Sequence, residues 1–201
     1  MRHIARSAAF AASLAAAALL GGCATSYVSP VEVTRFVGDQ PARLGTGPIA
    51  VRAGVGVDAQ SLEFSVYQTA VAEELQQLGY VVTRGDAPQV AEITVERFVT
   101  AQGRDRSPVN VGVGGSTGSY GSGLGVGIGL DLSGPPPEEV DTQLRVVIRQ
   151  AAGSTALWEG RARFTATVNS DMADAQAGAT KLADALFAGF PGESGETIEV
   201  E

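Results

Sequence analysis

The chain has 201 residues, 44% of them hydrophobic, and a formal net charge of -8. Its only Cys is Cys23, its only His is His3 and its only Lys is Lys181, so a Cys/His zinc centre, a His-held haem, a disulfide framework and a Ser-His-Asp triad all lack parts. A chain this acidic is repelled by polyanions, which bind clustered Lys and Arg, so no nucleic acid partner is expected.

Arg2, His3 and Arg6 open the chain, and Ala8–Leu20 follows as a run of thirteen residues broken only by Ser13. A basic start and an apolar run shorter than the ~20 residues of a membrane-spanning helix read as an export signal. Leu20-Gly21-Gly22-Cys23 comes next and resembles the bacterial lipobox. Small residues let a peptidase inside the membrane take the backbone in extended form, and the thiol is the group alkylated. The resemblance implies that Cys23 is lipidated and becomes the new N-terminus, with residues 1–22 removed. Two or three acyl chains hold a protein stably, at about 0.8 kcal/mol per buried CH2. Ala24 rather than Asp follows the Cys, which by the same resemblance implies outer-membrane localisation with the domain facing the periplasm. An ordinary signal peptide cleaved within Cys23-Ala24-Thr25-Ser26 is the alternative.

After that removal 179 residues remain, with 12 basic and 22 acidic side chains, a formal charge of -10. One core of that size buries about 70% of the unfolded surface, so a single domain is expected. Residues 23–30 form a polar tether. In Val31–Val37, Val31, Val33 and Phe36 alternate roughly with polar neighbours, the pattern of a first strand, and Ile49–Val57 reads as a second. Asp58 is placed to cap a helix on which Phe64, Tyr67, Val71, Leu75 and Leu78 recur at spacings of three and four. Gly79 ends it and Tyr80–Thr83 starts a strand at once, predicting a parallel crossover unit. Strands are further predicted at 90–101, 140–150 and 156–168, the last two joined by a short turn, and a helix at about 171–190 with Met172, Ala179, Leu182, Leu186 and Phe190 on one side. Pro191 and Gly192 stop it, and the acidic tail 192–201 is expected to be disordered. The expected fold is α+β and two-layered, a mixed, mostly antiparallel sheet with two helices on one face. The domain is placed at 31–191, with a Gly-rich insert at 107–137.

That insert has ten Gly between Gly112 and Gly134. Leu124, Val126, Ile128, Leu130 and Leu132 alternate with Gly123, Gly125, Gly127 and Gly129, and Val109, Val111 and Val113 begin a similar pattern before the tip. Period two puts aliphatic residues on one face and bare backbone on the other, a β-hairpin insert. A Gly face is destabilising by roughly 0.5–1 kcal/mol per residue against Ala, which close approach of another backbone, a flat surface or a ligand would offset. Three readings are open: an extension of the domain's own sheet or a mobile low-complexity insertion, a docking surface for an envelope protein or for self-association, and a membrane hairpin. Val109–Val113 is short for the last. Tyr120, alone among Gly and Ser at the tip, is a possible partner contact or packs back on the hairpin.

No catalytic constellation is legible. Glu73-Glu74, Glu138-Glu139-Asp141 and Asp171 with Asp174 read as solvated surface or as helix starts, and no spacing marks two carboxylates facing across a cleft. No histidine base remains beyond the export signal to activate a Ser, there is no phosphate-binding Gly loop, no patterned calcium loop, and Lys181 lies on the surface of the last helix. No metal, no cofactor and no enzyme activity are expected; a hydrolase or glycan-processing enzyme using carboxylates alone is the rival, and a passive structural lipoprotein a third possibility. Trp158, Tyr67, Phe98, Phe164 and Phe190 are expected in the core.

Leu78-Gly79-Tyr80, the strand Ala91-Glu92-Ile93-Thr94-Val95, the Gly-rich insert, the strand 142–148, the turn Leu157-Trp158-Glu159-Gly160-Arg161-Ala162 and the helix ending Phe190-Pro191 follow one another in an order that resembles bacterial lipoproteins of the domain of unknown function 4136 family. The resemblance spans residues 31–191, with Ala91-Glu92 where the family pattern has Ala-Asp. It implies an envelope lipoprotein with an α+β domain and brings no catalytic residues. The function expected is a non-enzymatic, periplasm-facing binding or assembly module anchored through Cys23, with the insert as contact surface.

Overall fold

The structure is a computed structural model that describes residues 26–100, 109–118, 121–130, 137–153 and 155–201, with 109–118 and 121–130 described by their backbone. Among the described residues nine strands and two α-helices follow in the order β1 (Val31–Val37), β2 (Gly47–Ala53), α1 (Leu62–Gln77), β3 (Tyr80–Thr83), β4 (Gln89–Thr100), β5 (Val109–Gly118), β6 (Gly121–Leu130), β7 (Glu139–Gln150), β8 (Ala156–Thr167), α2 (Ala175–Phe187) and β9 (Thr197–Val200). Seven strands form one mixed sheet in the order β3-β2-β4-β7-β8-β1-β9. β2 pairs in parallel with β3 and β4, and the remaining neighbours in this sheet are antiparallel. The fold is α+β, as the alternation of patterns suggests.

The crossover from β2 through α1 to β3 has the expected parallel pairing, Ile49 beside Val82. Gly79 makes the reversal possible: its φ is +100°, and a Cβ there would lie 3.0 Å from the carbonyl oxygen of Gly45. Helix α1 starts later than Asp58, because the Ser61 hydroxyl accepts the Phe64 N–H at 3.1 Å and so fills the N-cap role. Asp58 instead accepts from the Gln60 N–H in a turn before the helix. Strand β2 accordingly stops at Ala53, and Val55 is wholly exposed.

Both helices pack on each other and on the sheet: α1 covers β2, β3 and β4, and α2 covers β1, β7 and β8. The core between the layers joins Tyr67, Val71 and Leu75 of α1, Leu182 and Leu186 of α2, and Ile93, Leu144, Ile148, Ala162 and Trp158 of the sheet. Trp158 stacks on Phe187 with ring centroids 5.4 Å apart and also touches Phe190 at 5.2 Å. Its indole lies over Gly160, where a Cβ would come within 2.2 Å of the ring, so the Gly is a seat for the aromatic.

Four further expectations need correction. The tail does not end in disorder: β9 pairs antiparallel with β1, Val33 beside Ile198, and the Gly195 N–H donates to the Arg35 carbonyl at 2.7 Å. Local composition is acidic, but an open edge of β1 supplies the backbone partners that the segment lacks by itself. In β1 the inward residue is Arg35, buried with Val31 and Val33, and Phe36 is exposed, because period two from Val31 runs through odd numbers. Phe98 is exposed because it shares the even-numbered face of β4 with Glu92, Thr94 and Glu96, turned away from the helices, whereas Ala91 and Ile93 face the core. The tether is shorter than residues 23–30, since Val28 bridges Ala166, and Ser29 and Tyr27 exchange backbone hydrogen bonds with Thr165 and Thr167 of β8.

β5 and β6 pair antiparallel in a two-stranded sheet separate from the seven-stranded one. Their register sets like beside like: Val109 with Leu130, Val111 with Ile128, Val113 with Val126, and Gly112 with Gly127, Gly114 with Gly125.

Candidate functional site

Leu20, Gly21, Gly22, Cys23 and the possible contact Tyr120 lie outside the described residues. What the structure brings together is the face of the seven-stranded sheet opposite the two helices. Outward residues of β4, β7, β8 and β1 stand there in rows set by the register: Glu96, Gln143, Arg163 and Glu32 in one, Thr94, Arg145, Arg161 and Thr34 in the next, Glu92, Val147, Glu159 and Phe36 beyond.

These rows are knitted by charge pairs across strands. Arg145 grips Glu159 with two parallel hydrogen bonds of 2.9 Å, and Arg161 donates to the same carboxylate at 2.9 Å. The Arg145 hydrogen bonds hold the Glu159 carboxyl below the ordinary carboxylate range against the opposing effect of burial, while the same contact raises Arg145. Arg149 meets Glu92 at 2.8 Å, and Arg163 Nε meets Glu32 at 2.7 Å. Val147, in the last of these rows, is buried.

At the end of this face where β4 stops and β7 starts lies a groove of about 460 Å³, lined by Ser29, Glu32, Glu96, Phe98, Asp141, Gln143, Arg163 and Thr165 among others. Its carboxylates are engaged: Glu32 by Arg163, Asp141 by the Thr165 hydroxyl, and Glu96 by the Gln143 amide at 3.5 Å. Phe98 supplies the exposed aromatic surface. The arrangement can exchange hydrogen bonds with a polar partner and pack an apolar group on Phe98. Glu138-Glu139-Asp141 runs into its rim, whereas Glu73-Glu74 lies on α1 and Asp174 caps α2 by accepting the Gln176 N–H at 2.8 Å. Among the described residues no group of three or more His, Cys, Asp or Glu is placed to hold a metal ion, and no helix is long and apolar enough to cross a membrane.

Arg35 is the structural residue that reading the sequence missed. Its Nε donates to Leu186 O at 3.0 Å, and its Nη2 donates to Ala185 O at 3.0 Å and Ala188 O at 2.7 Å, so it caps the C-terminus of α2. Burial lowers its pKa. Gly192, at φ +80°, lets the chain pass over the guanidinium stem, where a Cβ would lie 2.7 Å from Cδ. The odd-number parity of Val31 and Val33 is the signal that marks Arg35 as inward.

A family model described as a domain of unknown function, DUF4136, matches residues 51–192. An uncharacterized protein of Zymomonas mobilis is 40% identical over 63 residues, 31% of this chain and 24% of that relative, so the chain matches about a quarter of the relative's length. Among solved structures, a PDZ domain protein from Parabacteroides distasonis is similar at 11% identity and a TM-score of 0.47, over 87% of this chain and 38% of that one. The PelC dodecamer from Paraburkholderia phytofirmans is similar at 12% identity and a TM-score of 0.39, over 79% of this chain and 92% of that one.

Proposed function

The chain belongs to the DUF4136 family, and within that family we propose that it is an envelope lipoprotein, exported by residues 1–22, anchored through Cys23 and serving as a non-enzymatic binding or assembly module that faces the periplasm. One observation carries the reading: the sole Cys follows a basic start and an apolar run, and only four residues after it Tyr27 is hydrogen-bonded to the sheet. A chain that starts folding so soon after its thiol is built to be held there. Ala24, rather than Asp, after the Cys favours the outer membrane. The helix-free face, with its carboxylates already bonded, suits recognition better than acid-base chemistry, which needs a carboxylate whose proton is free to move.

The glycine-rich hairpin of β5 and β6 is the second contact surface in this reading, for an envelope protein or another copy of the chain. Crosslinking in the native envelope, followed by capture of the full chain and of a chain lacking residues 107–137, tests it. Partners lost on deletion are the expected result, and an unchanged set removes the hairpin from the function.

A further inference from the structure

Four exposed apolar residues gather at one end of the sheet. The register sets Val99 beside Val140, Val140 beside Ala166 and Ala166 beside Val28, with Phe98 one residue back and Tyr27 and Val168 one and two residues further out. Tyr27, Phe98, Val99 and Val168 are 53%, 60%, 65% and 46% exposed. From β4 to the Tyr27–Pro30 segment is three strand spacings, about 14 Å, so these side chains edge one narrow rim. Both ends of the stretch that holds β5 and β6 join the sheet at this rim, through Thr100 of β4 and Glu139 of β7.

The start of the chain leads to the same place. Tyr27 N donates to the Thr167 hydroxyl at 3.0 Å, and Thr167 N donates to Tyr27 O at 2.9 Å, so the N-terminal segment is fixed on the last residue of β8. Only Ala24, Thr25 and Ser26 separate Tyr27 from Cys23. Four residue steps reach at most about 14 Å when fully extended. An acylated Cys23 therefore brings this end of the sheet, and no other, to the bilayer.

We propose that the rim of Tyr27, Phe98, Val99 and Val168 rests on the lipid surface, with the strands of β4, β7 and β8 standing up from it; this rests on acylation of Cys23. Aromatic and aliphatic side chains at a headgroup boundary gain by burying area that water would otherwise cover. Exposed Glu138 and Asp141 in the same rim make the matching surface a zwitterionic bilayer rather than an anionic one. The turn between β7 and β8 then points away. It is at least eleven strand residues from Thr167, about 36 Å at the rise of an extended chain.

The test uses the full acylated protein in phosphatidylcholine vesicles. Acylation consumes the natural thiol, so Val168→Cys and Ala152→Cys each offer one site for a fluorescent label. Intact mass first establishes the acyl groups; their absence sinks the anchor and this inference together. With acyl groups present, headgroup-bound nitroxide lipids are expected to quench the label at position 168 strongly and the label at 152 no more than vesicles without nitroxide. Equal quenching at the two positions overturns the rim alone. Tyr27→Ser, Phe98→Ser and Val99→Ser combined are expected to weaken quenching at 168 with acylation intact, and no change would show that the apolar side chains take no part.

Discussion

Replacing Arg35 with Met removes the guanidinium while keeping a long, buried, apolar stem. Arg35 is 5% exposed and holds three carbonyls at the end of α2. Two of these belong to the last turn of the helix, where carbonyls have no partner within the helix. Hydrogen bonds from a charged donor contribute about 1.5–3 kcal/mol each. Relief from burying the guanidinium charge returns several kcal/mol of that sum, which leaves a net loss of about 2–4 kcal/mol. For a chain of this size, that lowers the urea midpoint by about 1–2 M and the melting temperature by roughly 4–16 °C. Equilibrium urea unfolding of the mature chain, followed by the fluorescence of Trp158, measures it. Arg35→Lys should recover only part, since an ammonium cannot reproduce the planar fork. A midpoint for Arg35→Met equal to that of the parent would refute the cap as a source of stability.

Three further outcomes follow from the same geometry. Gly160→Ala places a methyl against the Trp158 ring and should cost about 1–3 kcal/mol, with a changed emission spectrum from the chain's only Trp; an unaltered spectrum and midpoint would contradict the seat. The folded-state pKa of Glu159 is depressed, so its contribution is present above the ordinary value near 4.5 and fades as pH falls through the lower folded value. Glu159→Gln should therefore flatten the acid limb of the stability curve, as urea midpoints measured from pH 6 to 3 will show. Tyr67 is fully buried, its hydroxyl has no hydrogen-bond partner among the described residues, and burial pushes its pKa up to about 12. A raised folded pKa gives stability that is complete below pH 10 and lost as pH rises through 12. Tyr67→Phe should leave stability at pH 7 unchanged or raise it by up to about 1 kcal/mol and remove that part of the alkaline loss, measured by unfolding between pH 9 and 12.

Much of the fold is local and was legible for that reason. The runs 139–150 and 156–167 carry alternation, broken at Val146-Val147-Ile148 and at Leu157-Trp158, that is long enough to mark both strands, and the Phe64-Tyr67-Val71-Leu75 stripe marks the buried side of α1. What escaped depends on partners distant in sequence. Thr197–Val200 has only Ile198 and Val200 to recommend it as a strand, and its order comes from β1, more than 160 residues earlier. Tyr27–Pro30 looks like a tether because nothing in its own composition announces β8. Phe98 is expected inside as an aromatic, but its parity with Glu92 and Glu96 puts it on the face of β4 away from the helices. Of the candidate site, the carboxylates and arginines were visible as single charges; their pairing across β4, β7, β8 and β1 needed the register.

The central claim is that this domain is held at a membrane by the thiol of Cys23, a few residues before the first strand. Intact mass spectrometry of the protein purified from the envelope of a diderm bacterium tests it most directly. The expected result is a chain beginning at Cys23, carrying the mass of two or three acyl chains, with Cys23→Ala leaving an unacylated chain that retains residues 1–22. A mature chain that starts elsewhere, or that carries an unmodified thiol at Cys23, would contradict it.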